Sequence, residues 1–376
     1  MPHAALPTSS RQVLFSAPDT IEHAVSAVDA PGPDEAIVRI ALVGICATDL
    51  HLLAGHIGDP FPLVPGHEFV GAIAAIGDRA SAARGLHVGD HVAVEMLLPC
   101  RACARCREGR YNLCDEDDMA RGLARGRQYG VNIPRTVSPG LWGGYAEYLF
   151  VPAEAITHKL PSTMPWTRAV LAEPLAVASR AVARGRVSPG DTVVVIGPGP
   201  VGILTAAAAR AAGARKVIMV GTRTSRLALS LSFGADAAVD SRDCDPVVGV
   251  RELIGGQLAD VVVEVAGVPA AQQQAVSLVR RGGRVVLAGA CGAHAVVSFL
   301  ADEDLLTREI DILPSFLSSG GFEPAIALLE RHDFPFEQLV THSFAFEDVD
   351  LAYDLIRSRS DDVLKAVLDP SAERSR

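Results

Sequence analysis

Four cysteines fall within the run PCRACARCREGRYNLC: Cys100, Cys103, Cys106 and Cys114, spaced C-x2-C-x2-C-x7-C. Four thiolates this close can form a tetrahedral shell around one Zn²⁺ with no position left open. Such a shell braces a loop and does no chemistry. A second set of residues is mixed in type. GICATDLHLLAG carries Cys46, Thr48, Asp49 and His51, VPGHEFVG carries His67 and Glu68, and LAEPLAVAS carries Glu173. A catalytic zinc needs mixed ligands and one position for water or substrate. Cys46, His67 and a carboxylate would meet that need. Of the seven cysteines, Cys244 and Cys291 remain and read as inert thiols.

Gly197, Gly199 and Gly202 form G-x-G-x-x-G directly after VVVI and directly before an alanine-rich helix. That context makes the motif a dinucleotide signature. Gly197 allows the tight turn, Gly199 lets the backbone approach a pyrophosphate, and Gly202 lets helix and strand pack closely. The helix start offers N–H groups to the phosphates. An acid for the adenosine ribose is expected about 20 residues further on. None occurs from Ile203 through Ala235, and Gly221 stands in its place, followed by Thr222, Arg223, Ser225 and Arg226. Losing the acid removes repulsion of a 2′-phosphate, and arginine can pair with one. The reading favours NADP(H) over NAD(H). Gly221→Asp is then expected to move preference towards NAD.

The surrounding elements must position these groups. The first half has short β-like runs broken by Gly and Pro: EAIVRIALVGI, FVGAIAAIG, DHVAVEMLL and GGYAEYLFV. They predict an irregular, barrel-like β domain. From about residue 165 the pattern is helical, and strands and helices then alternate through KVIMV, ADAAV, DVVVEV, GRVVLAG and EIDILPS. Alternation predicts a parallel sheet covered on both faces. Past about residue 320 an amphipathic helix, a strand and another helix follow, and this tail is expected to rejoin the first domain.

The chain has 376 residues, room for two domains with buried cores. A net charge of −10 argues against a nucleic-acid binder. No apolar run reaches membrane-spanning length, and the start MPHAALPTSSRQ lacks a signal pattern. Thiolates kept for metal suit a reducing cytoplasm. The DEDD run at 115–118 and Arg121, Arg125 and Arg127 read as solvated groups, with anion contact by the arginines as the alternative. Trp142 and Tyr145 read as core.

The cysteine lobe, the glycine turn and the Cys46, His67, Glu68 and Glu173 segments together resemble the zinc-dependent medium-chain dehydrogenases over nearly the whole chain. Glu173 in EPLAVA favours the sorbitol, threonine and polyol dehydrogenase branch. The resemblance implies an α/β protein: a GroES-like irregular β-barrel catalytic domain (1–176 and 320–376, with the zinc lobe at about 96–118) and a Rossmann doubly wound parallel-sheet domain (177–319). It implies two Zn²⁺ per chain. The catalytic ligands would come from Cys46, His67, Glu68 and Glu173, with the direct carboxylate left open. Asp49 would fix the His67 ring, although an Asp at a helix start also caps. Thr48 would take the alcohol proton and His51 would pass it outward. Cofactor contacts are implied at Gly197, Gly199, Pro200, Val201, Gly202, Gly221, Thr222, Arg223, Arg226, Gly267 and Gly289, and Lys365 resembles a late basic residue that can reach the cofactor. The expected reaction moves a hydride between a secondary alcohol, polyol or amino-alcohol (or its ketone or aldehyde) and a nicotinamide. The alternatives are a reductase of an enone or iminium with a repurposed metal site, and a non-enzymatic family member. A homodimer through cofactor-domain edge strands, often doubled to a tetramer, is expected by the same resemblance.

Overall fold

The Gly- and Pro-broken runs of the first half form short strands because their β-branched residues pack on pleated, half-buried surfaces. In a computed structural model, which describes residues 6–117, 126–292, 294–358 and 363–373, the four runs hold β3 (Ala36–Gly44), β4 (Glu68–Ile76), β5 (His91–Val94) and β6 (Tyr148–Val151), and the hairpin β1 (Ser9–Ala17) and β2 (Thr20–Ala27) and the short β7 (Thr157–Lys159) join them. Between them lie α1 (Ala47–Leu53), α2 (Asp78–Arg84) and α3 (Ala104–Arg107), and α4 (Trp166–Ala169) follows β7. Helix α5 (Ala172–Arg184) leads into an alternating run: β8 (Thr192–Ile196), α6 (Pro200–Ala211), β9 (Lys216–Gly221), α7 (Thr224–Leu231), β10 (Ala237–Asp240), α8 (Pro246–Leu253), β11 (Ala259–Glu264), α9 (Pro269–Leu278), β12 (Val279–Leu287) and β13 (Asp311–Pro314). The chain ends through α10 (Phe322–Glu330), β14 (Val340–Phe344), α11 (Val349–Ser358) and β15 (Lys365–Leu368).

Two compact units result: Met1–Glu173 with Val340–Arg376, and Pro174–Leu339. In the first, a seven-stranded sheet runs β14-β15-β3-β4-β5-β7, and β6 pairs with β3. Register shifts in the β3–β4 pair bend the sheet. Trp142 is core, as its apolar bulk predicts: it is 2% exposed, its ring lies against Tyr129 and Phe150, and its indole N–H donates to the Val137 carbonyl.

The second unit has six strands in the order β10-β9-β8-β11-β12-β13. Every neighbouring pair is parallel. Val193, Val194 and Val195 are fully buried, as a strand covered on both faces requires. The strand order reverses between β8 and β11, and ligands bind at the carboxyl ends of strands at such a point.

The tail rejoins the first unit at Val340, not at residue 320. Helix α10 stays with the second unit because Phe322, Ala325 and Leu329 need an apolar partner and find one there. Phe334 and Phe336 then stack around Phe233. Asp118, Arg121 and Arg125 lie outside the described residues. Arg127 is no solvated group: its side chain is 16% exposed and pairs with Glu116 and Glu154. Asp117 is also built in. It accepts hydrogen bonds from the Arg127 main chain, Gln128 and Asn132, so this acidic run closes the lobe's return to the barrel.

Candidate metal centre and cofactor site

Cys103 caps α3, and the short turn that follows brings Cys106 and Cys114 back beside Cys100. All four sulfurs lie within 4.8 Å of one another. A tetrahedral zinc–thiolate shell with bonds of about 2.3 Å places sulfurs about 3.8 Å apart. Cys100 and Cys106 Sγ are 3.9 Å apart, so the cluster fits that shell and is far too open for a disulfide. Main-chain N–H groups of Asp115 and Cys106 hold the Cys103 thiol down, to about 6, while burial pushes Cys106 up to about 12. A dication is what would keep all four as thiolates at once.

The second cluster joins Cys46, His67 and Glu68, whose ligand atoms also lie within 4.8 Å of one another. Cys46 is the residue before α1, and Glu68 opens β4. Sheet register brings the two segments together, because Gly44 of β3 stands opposite Glu68. His67 and Glu68 are 4% and 2% exposed. Thr48 Oγ1 is 3.6 Å from Cys46 Sγ. Asp49 does both things its sequence position allows. Its Oδ2 accepts the Cys46 N–H at 2.9 Å, and its Oδ1 faces His67 Nδ1 at 3.5 Å. Neither Oδ1 nor Nδ1 has a hydrogen bond of normal geometry, so the ring is aimed but not tightly bonded. Burial lowers the basicity of His67, but Asp49 and Cys46 together outweigh it and raise the ring well above its ordinary value. A more basic imidazole is a better metal ligand.

Glu173 lies outside that tight group of three. It is buried in the first turn of α5, and burial together with the Glu68 charge lifts its carboxyl to about 7. Lys365 is 3% exposed, pairs with Glu68 and donates to the Ile45 carbonyl at 3.1 Å. The expectation that it reaches out to a cofactor is therefore revised: its ammonium neutralises a buried carboxylate of the metal centre. His51 is exposed on the last turn of α1, and its Nδ1 lies 3.4 Å from that of His56. Local spacing assigns no role to His56, nor to Glu95, a buried carboxylate that accepts from both Tyr111 and His158 at 2.8 Å. Nothing in local spacing joins residues 95, 111 and 158, so only the fold reveals the link between lobe and barrel.

In the second unit Gly197 has φ +106°, a backbone open to glycine. A Cβ on Gly202 would meet the Gly197 carbonyl at 1.8 Å, whereas one on Gly199 would meet nothing within 4 Å. Gly202 is therefore a packing glycine, and Gly199 faces open space where a phosphate can approach. Pro200 starts α6, whose preceding residue supplies no side-chain cap, leaving the helix N–H groups available. Gly221 has a different reason from the one expected. A Cβ there would lie 2.2 Å from Cδ of Pro198, inside the glycine turn itself. The position needs glycine for packing, so adding an aspartate would disturb the turn as well as the charge. Arg223 immediately precedes α7, and Thr222 and Ser225 are exposed beside it. An acid remote in sequence does stand nearby: Asp240 of β10 is in register with Gly221. Arg242 binds it and pulls its carboxyl down to about 2. Gly267 and Gly289, after β11 and β12, pack against each other, and buried Glu264 accepts the Gly267 N–H at 2.8 Å.

Two family models match: the alcohol dehydrogenase GroES-like domain at residues 32–162 and the zinc-binding dehydrogenase domain at 200–331. The chain is 41% identical to a protein of Mycobacterium tuberculosis described as an alcohol dehydrogenase, over 82% of this chain and 83% of that one. It is 32% identical to the erythritol/L-threitol dehydrogenase of Mycolicibacterium smegmatis, over 95% and 97%. Among solved structures, a zinc-binding dehydrogenase from Sinorhizobium meliloti bound to NADP superposes with a TM-score of 0.83 at 27% identity, covering 97% of this chain and 100% of that one. An alcohol dehydrogenase from Escherichia coli complexed with NADH gives 0.82 at 28%, covering 96% and 100%. With these matches spanning both units, the chain belongs to the zinc-type medium-chain alcohol dehydrogenase family.

Proposed function

We propose that this protein is a zinc-dependent dehydrogenase of a secondary alcohol or polyol, working with NADP(H) in preference to NAD(H) and carrying two Zn²⁺ per chain. The observation that carries this reading is the buried convergence of Cys46, His67 and Glu68, with Asp49 behind the imidazole and Thr48 beside the thiol. Such a mixed set leaves room for a substrate oxygen. The polyol relative in Mycolicibacterium smegmatis supports the substrate class.

In oxidation, zinc would supply Lewis acidity at the alcohol oxygen and the nicotinamide a hydride acceptor. Cys46, His67 and a carboxylate would hold the metal, and the Lys365 ammonium pairs with Glu68 inside the protein. The Thr48 hydroxyl takes the substrate proton while passing its own onward. His51, exposed beside His56, releases it to solvent. The NADP preference rests on the acid-free end of β9, on Arg223 and Arg226, and on Arg242, whose pairing with Asp240 removes the negative charge nearest Gly221. A homodimer through the sheet edge at β13 is supported by exposed Val296, Leu300, Leu306 and Phe316 in the same unit.

The deciding experiment is a panel of secondary alcohols, polyols and their ketones, assayed with each cofactor on zinc-replete protein. Turnover of a polyol or secondary alcohol, faster with NADP, is expected. No turnover of any alcohol or ketone by protein holding two zinc ions would sink the reading.

A further inference from the structure

Asp49 is fully buried, and its two oxygens face different ways. Oδ1 points at His67 Nδ1, while Oδ2 accepts the Cys46 N–H and, at 3.2 Å, the hydroxyl of Tyr145. Tyr145 Oη in turn accepts the hydroxyl of Tyr353 at 3.2 Å. Tyr145 comes from the loop before β6 and Tyr353 from α11, so three distant stretches of chain are linked through Tyr145 to one carboxylate. Both phenols are inaccessible, at 0% and 1% exposure. Burial and the Asp49 charge push both well above the ordinary phenol value, so each remains an O–H donor at any working pH. The bonds therefore run one way: Tyr353 to Tyr145 to Asp49. The Tyr145 ring also lies on Gly66, where a Cβ would come within 2.3 Å of a ring carbon. The same side chain thus constrains the main chain just before His67. Phe15 packs edge-on against Tyr353 with centroids 6.2 Å apart, which fixes the outer end of the series.

We propose that Tyr145 and Tyr353 are positioning residues of the metal centre, whose hydroxyls lock Asp49 so that His67 keeps Nδ1 towards Asp49 and Nε2 towards the ligand cluster. A carboxylate with only one firm donor can rotate about its last torsion, and a rotation carries Oδ1 away from the imidazole. Groups that orient a metal-ligating histidine typically change metal affinity by about 10–100-fold when altered. Tyr145 bonds Asp49 directly and Tyr353 acts only through Tyr145, so the two effects should not add. The inference rests on the metal reading of Cys46, His67 and Glu68.

The test uses the zinc-loaded protein and its Tyr145→Phe, Tyr353→Phe and double variants. The readout is the rate at which each of the two zinc ions is lost to excess chelator, with the lobe's ion as internal reference. Cobalt(II) substitution reports ligand geometry by its visible absorption. Tyr145→Phe should speed loss of the non-lobe ion about tenfold and shift the cobalt spectrum. Tyr353→Phe should do the same more weakly, and the double variant should match Tyr145→Phe. Lobe zinc should be lost at an unchanged rate in all. Unchanged retention and spectrum in Tyr145→Phe, or effects of the two singles that simply add, would overturn the proposal while leaving the zinc reading intact. If Tyr145→Phe does not fold, Tyr353→Phe against the unmodified protein decides on the same readouts. If the unmodified protein binds zinc only in the lobe, the proposed function fails and this inference with it.

Discussion

Cys46 and Thr48 are separated by one residue at the start of α1, and their side chains are 3.6 Å apart. Cys46→Ser replaces a soft thiolate by a poor zinc ligand of similar size. We expect turnover to disappear and zinc content to fall by one ion per chain, with the melting temperature little changed; elemental analysis beside a thermal melt checks this. Thr48→Val keeps the shape and removes the hydroxyl. Proton-transfer groups typically contribute about 10²–10⁴-fold, so kcat should fall within that range while cofactor binding persists. An unchanged kcat would assign the relay to another group. At the cofactor end, Arg223→Ala should weaken NADP more than NAD, by about ten- to a hundredfold at most, since a well-placed charge-assisted bond contributes about 1.5–3 kcal/mol. Gly221→Ala is the companion variant. Its methyl meets Pro198, so both cofactors should bind less well and the ratio of their specificity constants should stay near that of the parent. A ratio that swings towards NAD in Gly221→Ala would mean that packing at this turn, and not charge, sets the preference.

Elements bring these residues together by different means. The lobe is built around α3, only four residues long, which has no stability of its own. Cys103→Ser removes one of four thiolates from it. Structural zinc contributes folding free energy, so we expect one ion fewer per chain, a lower melting temperature and faster proteolysis within 96–117. Wild-type melting and protease resistance together would show that the lobe does not need its metal. Tyr111, within the lobe, bonds to Glu95 just after β5, so damage there has a direct route to the barrel. Helix α10 illustrates the opposite case. Its amphipathic pattern is plain in the sequence, but the pattern only says that one face must be covered. Which unit covers it is decided by its packing against α6, a helix of the second unit.

At the scale of the whole molecule, each unit can be read by itself. The first brings Cys46, just before α1, together with His67 and Glu68 at the start of β4, and Lys365 returns to Glu68 on β15. The second offers a bare glycine turn and an arginine-lined strand end. No helix among the described residues is long and apolar enough to cross a membrane. The sheet of the second unit ends at β13, and a charge placed in the same unit at an apolar residue 70% exposed, Leu306→Lys, should shift the proposed assembly towards monomer in sedimentation measurements. An unchanged sedimentation coefficient would locate the contact elsewhere.

The sequence by itself determined whatever depends on near neighbours along the chain. The four lobe cysteines, the G-x-G-x-x-G turn and the alternation of strands and helices are local patterns, because turn geometry, tetrahedral ligation and helix periodicity each act over a few residues. The segments bearing Cys46, His67, Glu68 and Glu173 were legible only as pieces whose residue types suit a metal. Tertiary structure decided which of them stand closest, leaving Glu173 outside the group of three. It also decided that Lys365 faces Glu68, that Asp240 and Arg242 stand beside Gly221, and that Gly221 is glycine because of Pro198. The Tyr353–Tyr145–Asp49 series belongs to the same class. Hydrogen bonds and ion pairs act over about 3 Å whatever the separation along the chain, so residues 49, 145 and 353 become partners only when the sheet and the returning tail bring them together.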